Sequence, residues 1–164
     1  MKKIISGGQT GADFGGLAAG AKFGFETGGS MPPGFMTEQG PKPHWAKEFG
    51  LVEIGSCGNI VADYVSRTYA NVRDSDATIR FASNFDSKGE QCTLRAIKKY
   101  DKPYLDVDPS SPPQPFEVAA WLKDKQVEVL NVAGNRESKS PGLGRFVVDF
   151  LSQVFQEMGF QPKE

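Results

Sequence analysis

A glycine-rich turn near the start of the chain joins a short apolar segment to a run of unusually small residues. The apolar segment covers residues 2–6 and the turn, called the first turn below, covers residues 7–11. The small residues that follow are Gly15, Gly16, Ala18, Ala19, Gly20 and Ala21. Glycine inside a helix lowers stability by about 1 kcal/mol relative to alanine, so this many glycines predict a helix packed very closely on a sheet. The chain is therefore expected to begin as strand, tight turn and helix.

The first turn also has the features of an anion-binding site. Glycine allows the backbone to approach a ligand closely, and the helix that follows presents unpaired N–H groups and a positive dipole end. The candidate phosphate contacts are Gly7, Gly8, Gln9, Thr10 and Gly11. The alternative is a purely structural turn, in which Thr10 and Asp13 form a capping box at the start of the helix.

Short β-rich segments alternate with helical segments along the whole chain, which is typical of a parallel sheet with helices on both faces. We expect strands at residues 2–6, 24–28, 51–54, 77–82, 103–107 and 127–133. We expect helices at residues 11–23, 58–71, 90–100, 115–125 and 143–158. With 164 residues the chain can bury its own core, so residues 1–164 are interpreted as a single α/β domain.

The segment from residue 28 to residue 43 is too rich in glycine and proline for regular structure, and we expect a long loop there. Such loops are either binding lids or packed surface loops, and the sequence favours neither. The segment leaves the end of a predicted strand, which is where open α/β sheets bind their ligands.

Charge and composition exclude several classes of function. The 19 basic residues nearly balance the 20 acidic ones and form no basic cluster, so nucleic acid is not an expected partner. The chain contains no apolar segment typical of a signal peptide or a membrane span, so we expect a cytoplasmic protein that does not enter a membrane. Cys57, Cys92 and His44 are too few and too scattered to form a metal site, and none is expected.

A second turn follows the predicted strand at residues 127–133 and precedes the last helix. This second turn, residues 134–138, adds an arginine and a serine to a glycine, and both side chains can donate hydrogen bonds to a phosphate. The candidate contacts are Gly134, Arg136 and Ser138. The alternative is that Arg136 and Glu137 are ordinary solvated charges of a loop.

Two further groups of residues are weaker candidates. In the segment 85–93, which enters a helix, Lys88, Gly89 and Thr93 have the chemistry to contact a phosphate. Around residues 67–73, three polar residues can face either an anionic ligand or a subunit interface; they are Arg67, Asn71 and Arg73. The simpler interpretation of Arg67 is a helical ion pair with Asp63, four residues earlier.

These motifs together resemble a known family. The segments 5–13, 67–76 and 131–138 are similar to those of the molybdenum cofactor carrier family, which are circularly permuted YpsA-related proteins of the SLOG superfamily. The resemblance extends over nearly the whole chain. It implies a Rossmann-like three-layer α/β/α fold, binding of a nucleotide or of the phosphate-bearing pterin of the molybdenum cofactor, and a homo-oligomer, either a dimer or a tetramer.

The resemblance also implies an order of strands. The strand at residues 127–133 becomes central, with 2–6 and 77–82 beside it and 24–28 and 103–107 further out. The first turn, the second turn and the segment around Lys88 and Gly89 are then expected to meet at one edge of the sheet.

The same superfamily includes phosphoribohydrolases of the lonely-guy type, which release a base from a nucleoside monophosphate. Those enzymes carry the motif P-G-G-x-G-T-x-x-E, whereas this chain has a different sequence, with Arg95 near the expected position of the glutamate. The resemblance therefore favours a carrier or binding protein over an enzyme. If the chain is a hydrolase, Asp13 or Glu90 is the candidate acid or base.

Overall fold

Eight strands and six helices make up the chain, and the computed structural model describes all 164 residues. The strands are β1 (Lys3–Ile5), β2 (Glu26–Met31), β3 (Met36–Thr37), β4 (Gly40–Pro41), β5 (Leu51–Glu53), β6 (Ala77–Phe81), β7 (Tyr104–Val107) and β8 (Val129–Gly134). The helices are α1 (Ala12–Lys22), α2 (Trp45–Phe49), α3 (Ile60–Arg73), α4 (Lys88–Tyr100), α5 (Pro115–Asp124) and α6 (Leu143–Glu157), with a 3₁₀ turn at Pro33–Phe35.

Six of the strands pair in one parallel sheet, in the order β5-β2-β1-β8-β6-β7. Helices α1, α5 and α6 pack together in one layer, and α3 and α4 pack together in another. The sheet lies between them, so the predicted Rossmann-like three-layer α/β/α fold is confirmed. The predicted central position of the last strand is confirmed as well, because β8 pairs with β1 on one side and β6 on the other.

Helix α1 contacts both the sheet and α6 through its glycines. A Cβ atom at Gly16 would lie 2.5 Å from Cβ of Val132 on β8, and one at Gly15 would lie 2.7 Å from Cβ of Val147 on α6. Real side chains do not approach this closely, so only glycine fits at these positions. The predicted close packing of this helix is confirmed, and it brings the N-terminus of α1 to the edge of the sheet.

Helix α6 supplies the largest share of the core on its side of the sheet. Val147, Phe150, Leu151, Val154 and Phe155 recur at helical spacing, and all five are buried. The ring of Phe155 meets the ring of Phe25 edge to face, with 5.0 Å between the centroids. The apolar face of α6 is therefore used inside the protomer.

The interpretation of residues 28–43 as a loop without regular structure is wrong in part. Strand β2 continues to Met31, although its residues Gly28, Gly29 and Ser30 have low strand propensity. It does so because β1 and β5 pair with it on its two sides and supply the hydrogen bonds of a parallel ladder. The rest of the segment contains the 3₁₀ turn and the two-residue hairpin β3–β4, and α2, which the sequence did not predict, follows it. None of the six helices has the length and apolar character needed to cross a membrane.

Candidate anion-binding site

The turns that follow β1, β8 and β6 lie side by side, because these three strands are neighbours in the parallel sheet. The backbone N–H of Ala12 donates to the carbonyl of Asn135 (3.1 Å), which joins the first turn to the second. The N–H of Ser83, just after β6, donates to Oδ1 of Asn135 (3.1 Å). The first and second turns therefore meet at one edge, as expected, and the segment that contains Lys88 and Gly89 reaches this edge through Glu90. This is the edge at which open α/β sheets bind ligands.

Three backbone N–H groups of the first turn, those of Gly8, Gln9 and Thr10, already have acceptors within the protein. That of Gly8 donates to Oγ of Ser6 (3.3 Å), and that of Gln9 donates to Oδ2 of Asp13 (3.1 Å). The N–H of Thr10 donates to the side-chain oxygen of Gln9 (3.0 Å). The sequence-based expectation was that such groups face a ligand. In this conformation, the Thr10 hydroxyl is the group of the first turn that contacts a carboxylate from outside the turn and its helix, that of Glu38.

Thr10 does not cap its own helix, so the capping-box interpretation is wrong. The N-cap of α1 is Gly11, with φ 77° and ψ −124°, and no side chain caps the helix. The Thr10 hydroxyl meets the second turn and the hairpin instead of the N–H groups of α1. There the hydroxyl accepts a hydrogen bond from the N–H of Glu137 (3.1 Å) and donates one to the carboxylate of Glu38.

Two glycines of the first turn allow close contact with other parts of the protein. A Cβ atom at Gly11 would lie 2.5 Å from the carbonyl oxygen of Asn135 and 2.6 Å from the nitrogen of Glu137. A Cβ atom at Gly7 would collide with the guanidinium of Arg67. These glycines are required for the packing of the two turns and of Arg67, before any ligand is considered.

The second turn places Arg136 and Ser138 on the surface beside the Thr10 hydroxyl, while Glu137 has a structural role. The carboxylate of Glu137 accepts hydrogen bonds from the N–H groups of Gly142 (2.5 Å) and Gly144 (3.0 Å) at the start of α6. It therefore stabilises the N-terminus of that helix. The interpretation of Glu137 as an ordinary solvated charge is wrong. Gly134 ends β8, tightly packed against the backbone of Phe81.

Glu38 is the residue that sequence analysis did not single out, and it lies at the centre of this site. Its carboxylate accepts hydrogen bonds from the hydroxyls of Thr10 and Ser138 and from the N–H of Ser138 (3.1 Å). The Nε atom of Arg136 lies 3.9 Å from the same carboxylate. Partial burial opposes ionisation, but the hydrogen bonds and Arg136 outweigh it and lower the pKa of Glu38. The side chains of Thr10, Arg136 and Ser138 thus surround an ionised carboxylate, that of Glu38.

A hairpin holds Glu38 in this position. Glu38 is the first of the two residues between β3 and β4, and the Thr37 hydroxyl donates to the carbonyl of Gly40 across the turn (2.8 Å). The N–H of Glu38 donates to the side-chain oxygen of Gln9 (2.9 Å). The only sequence feature that points to Glu38 is the segment T-E-Q-G at residues 37–40, which follows the end of a predicted strand. That feature does not show which distant donors the carboxylate meets.

An ion pair lies buried behind the first turn. An Nη atom of Arg67 lies 3.4 Å from Oδ2 of Asp13, and the two side chains are 13% and 6% exposed. The predicted pairing of Arg67 with Asp63 is wrong, because Asp63 accepts a hydrogen bond from the N–H of Cys57 instead (2.5 Å). Burial raises the pKa of Asp13 to about 6, although Arg67 and the N–H groups of the first turn oppose this increase. The Nε atom of Arg67 has no hydrogen-bond partner.

Glu90 is a second buried acid at this edge, only 4% exposed. Its Oε2 atom accepts a hydrogen bond from the Asn135 amide (3.3 Å), whereas Oε1 has no partner. Burial raises the pKa of Glu90 to about 7; Arg80 opposes the increase and the charge of Asp13 adds to it. Both candidate acids are therefore buried and close enough to influence each other's ionisation.

The remaining candidates of the segment 85–93 lie in the first turns of α4. Lys88 and Gly89 are exposed, and no atom would lie within 4 Å of a Cβ added at Gly89. The hydroxyl of Thr93 donates to the carbonyl of Gly89 inside the helix (3.1 Å). Only Glu90 connects this segment to the second turn.

Asn71 and Arg73 do not contact Thr10, Arg136, Ser138 or Glu38. The Asn71 amide accepts from the N–H of Ser30 (2.8 Å) and donates to its carbonyl (3.0 Å), which fastens α3 to β2. Arg73 forms an exposed ion pair with Asp74 (2.8 Å). The chain contains no group of three His, Cys, Asp or Glu side chains that could hold a metal ion.

Known proteins are similar to this chain in both sequence and fold. The model of the circularly permutated YpsA SLOG family matches residues 4–155. A crystal structure of a "putative molybdenum carrier protein" from Syntrophus aciditrophicus SB is similar, with a TM-score of 0.82 and 32% sequence identity over 94% of each chain. A search of curated proteins gave no match.

Proposed function

The chain belongs to the circularly permutated YpsA SLOG family, and we propose that it binds a phosphorylated small molecule at the edge formed by the first and second turns. The proposed contacts to the phosphate are Thr10, Arg136 and Ser138. The first-turn residues Gly7, Gly8, Gln9 and Gly11 hold Thr10 in place, and Gly134 positions the second turn. Lys88, Gly89 and Thr93, in the first turns of α4, stay secondary candidates.

The observation that carries this proposal is the way in which Glu38 is held. Two hydroxyls, one backbone N–H and one guanidinium surround a single carboxylate, and they come from two separate turns. A phosphate group accepts the same kinds of hydrogen bond and carries more charge, so this set of donors suits it. None of the four donors belongs to a regular helix or strand, so secondary structure does not require any of them.

The molybdenum cofactor is our first candidate for this ligand, because the related crystal structure is described as a molybdenum carrier. The cofactor ends in a phosphate, which Thr10, Arg136 and Ser138 can hold, while a nucleotide offers the same phosphate chemistry. When bound, the cofactor would supply its pterin and its molybdenum; the contribution of this chain is to bind the phosphate. Arg67 has an unpartnered Nε atom beside the first turn and is a further candidate contact.

Two experiments test the proposal. The first is mass spectrometry of small molecules that co-purify with the native protein. The second is thermal shift with nucleoside monophosphates, nucleoside diphosphates and a molybdopterin-bearing extract. A ligand present at one hundred times its dissociation constant stabilises the folded state by about 2.7 kcal/mol. For a chain of this length that corresponds to a rise in melting temperature of roughly 5–10 °C. Arg136→Gln and Ser138→Ala should each reduce the shift.

Lys139→Gln is the matched control for this experiment. Lys139 is exposed directly after the second turn and forms no ion pair, so its replacement removes one positive charge without removing a proposed contact. An equal loss of binding in Lys139→Gln and Arg136→Gln would show general attraction between charges, and would contradict a specific phosphate site.

A phosphoribohydrolase activity is the second candidate function, and the buried Glu90 is the observation that favours it. A carboxylic acid with a pKa of about 7 can exchange protons near neutral pH, as an acid or base in hydrolysis must. Release of free base from adenosine, guanosine or cytidine monophosphate is the test. We expect no appreciable release, whereas turnover that disappears in Glu90→Gln would establish the enzyme.

We also propose that the chain forms a homo-oligomer through α3. Ile60, Val61 and Val65 on this helix are 60%, 69% and 37% exposed, and Val52 on the edge strand β5 is 60% exposed. Ile60, Val61 and Val65 lie within two turns of one helix, and exposed apolar side chains this close together are typical of an interface. Sedimentation equilibrium should give a mass of at least two 17.8 kDa chains, and Val61→Glu should lower it. A monomer at high concentration would contradict this proposal.

A further inference from the structure

Glu38 lies at the tip of a hairpin that forms no strand pairing with the main sheet. The segment 32–43 leaves β2 and returns to α2, and its hairpin pairs only with itself, through two residues of β3 and two of β4. Near its base, the N–H of Gly34 donates to the carboxylate of Glu53 (2.7 Å), and the N–H of Lys42 donates to the carbonyl of Phe35 (2.8 Å). These contacts are independent of Glu38.

The hydrogen bonds and the ion pair between the hairpin tip and the two turns are all made by Glu38. Its carboxylate meets Thr10, Arg136 and Ser138, and its N–H meets Gln9. Glu38 and Ser138 are 100 residues apart in sequence, so this contact is purely tertiary. If the carboxylate leaves, the donors of both turns are exposed and the hairpin keeps its own internal hydrogen bonds.

We propose that Glu38 is an internal competitor for the ligand, and that its carboxylate occupies the position which the phosphate takes when the ligand binds. This inference rests on the proposed function. A carboxylate and a phosphate cannot share these donors, because two anions in contact repel each other. Binding of the ligand therefore requires the hairpin tip to withdraw.

The competition also defines the class of ligand. Glu38 carries one negative charge, whereas a phosphate monoester carries about −1.5 to −2 at neutral pH. A ligand that ends in a carboxylate carries the same single charge as Glu38, so it has no electrostatic advantage. Glu38 is also covalently part of the chain and is already positioned at the donors. The site therefore selects ligands that end in a phosphate monoester and rejects ligands that end in a carboxylate.

Titration calorimetry with inorganic phosphate tests the competition, because this probe needs no knowledge of the rest of the ligand. Glu38→Ala should bind phosphate at least tenfold more tightly than the wild type. Acetate should bind to Glu38→Ala and not to the wild type. The addition of Arg136→Gln to Glu38→Ala should remove the gain.

Glu53→Gln is the control, since Glu53 contacts the same segment at Gly34 but lies away from the donors. It should leave phosphate affinity unchanged. Hydrogen exchange gives an independent measurement: saturating phosphate should increase exchange of the amides of residues 36–41 in the wild type. Glu38→Gln, which keeps the shape of the side chain and removes its charge, replaces Glu38→Ala if the latter does not fold.

Equal or weaker phosphate binding by both Glu38 variants would overturn the inference. If the wild type still gains thermal stability from a phosphorylated ligand in that case, the proposed function stands and Glu38 is a ligand contact or a structural residue. If no variant binds phosphate and the wild type responds to no phosphorylated ligand, the proposed function fails as well.

Discussion

The first and second turns both follow a central strand and both contain glycine, but the structure uses them differently. In the first turn the N–H groups of Gly8, Gln9 and Thr10 are paired within the protein, and Gly11 lies against the backbone of Asn135. In the second turn the side chains of Arg136 and Ser138 extend to the surface and reach the carboxylate of Glu38. The first turn is mainly a support that contributes one donor, the Thr10 hydroxyl, whereas the second turn presents the other donors.

This difference shows that a glycine-rich turn beside a helix N-terminus has two separate explanations. Glycine permits close approach of a ligand, but it also permits close approach of another part of the protein. Here the second explanation accounts for Gly7 and Gly11 directly. The binding chemistry then depends on Thr10, the side chain that the first turn holds against the second.

The largest effect should come from replacing the glycine at which the two turns touch. Gly11→Ala places a Cβ atom 2.5 Å from the Asn135 carbonyl, in a backbone conformation that L residues rarely adopt. We expect a loss of unfolding free energy on the order of 3 kcal/mol, measured by urea denaturation. Gly89→Ala is the control, because nothing lies near that position and its φ is ordinary; it should not destabilise. Wild-type stability of Gly11→Ala would contradict the supporting role of the first turn.

A smaller effect is expected from the side chain that links the turns. Thr10→Val removes the hydroxyl that accepts from the N–H of Glu137 and donates to Glu38. The unpaired N–H should lower the unfolding free energy by about 1–2 kcal/mol, and phosphate affinity should fall as well. Thr10→Ser keeps the hydroxyl and should retain both properties. If Thr10→Val and Thr10→Ser behave alike, the hydroxyl does not connect the two regions.

The buried acid behind the turns should give a stability effect that depends on pH. The pKa of Glu90 is raised from 4.5 to about 7 in the folded protein. Its stabilising contribution is therefore complete below pH 4.5 and is lost as the pH rises through about 7. The melting temperature of Glu90→Gln, relative to the wild type, should increase between pH 5 and pH 8. Glu48→Gln, at an exposed position without an ion pair, should show no such trend; a parallel trend in both variants would exclude Glu90 as the cause.

The smallest effect on stability should come from Lys88, at the exposed start of α4. Lys88 is exposed at the start of α4 and forms no ion pair, so Lys88→Gln should leave the unfolding free energy within about 0.5 kcal/mol of the wild type. If Lys88→Gln weakens ligand binding as much as Arg136→Gln does, the segment after β6 belongs to the site on equal terms with the second turn. Thermal shift with the best ligand measures both variants together.

Much of the fold could be predicted because the signals were local. Alternating β-rich and helical segments placed all six strands of the sheet, and the periodic apolar residues of α6 marked a buried helix face. The extent of β2 could not be predicted, since Gly28 and Gly29 become strand only through pairing with β1 and β5. The order of strands came from family resemblance, because propensity does not determine which strands become neighbours.

The sequence by itself determined which chemical groups surround the site: the glycines, Thr10, Arg136, Ser138 and the two acids Asp13 and Glu90. Only the tertiary structure decided their partners. It placed Arg67 against Asp13 rather than Asp63, and Glu38 against donors 28 and 100 residues away. The physical reason is that helix and strand signals act over a few residues, whereas these contacts depend on which chain segments the folded sheet and its loops bring together.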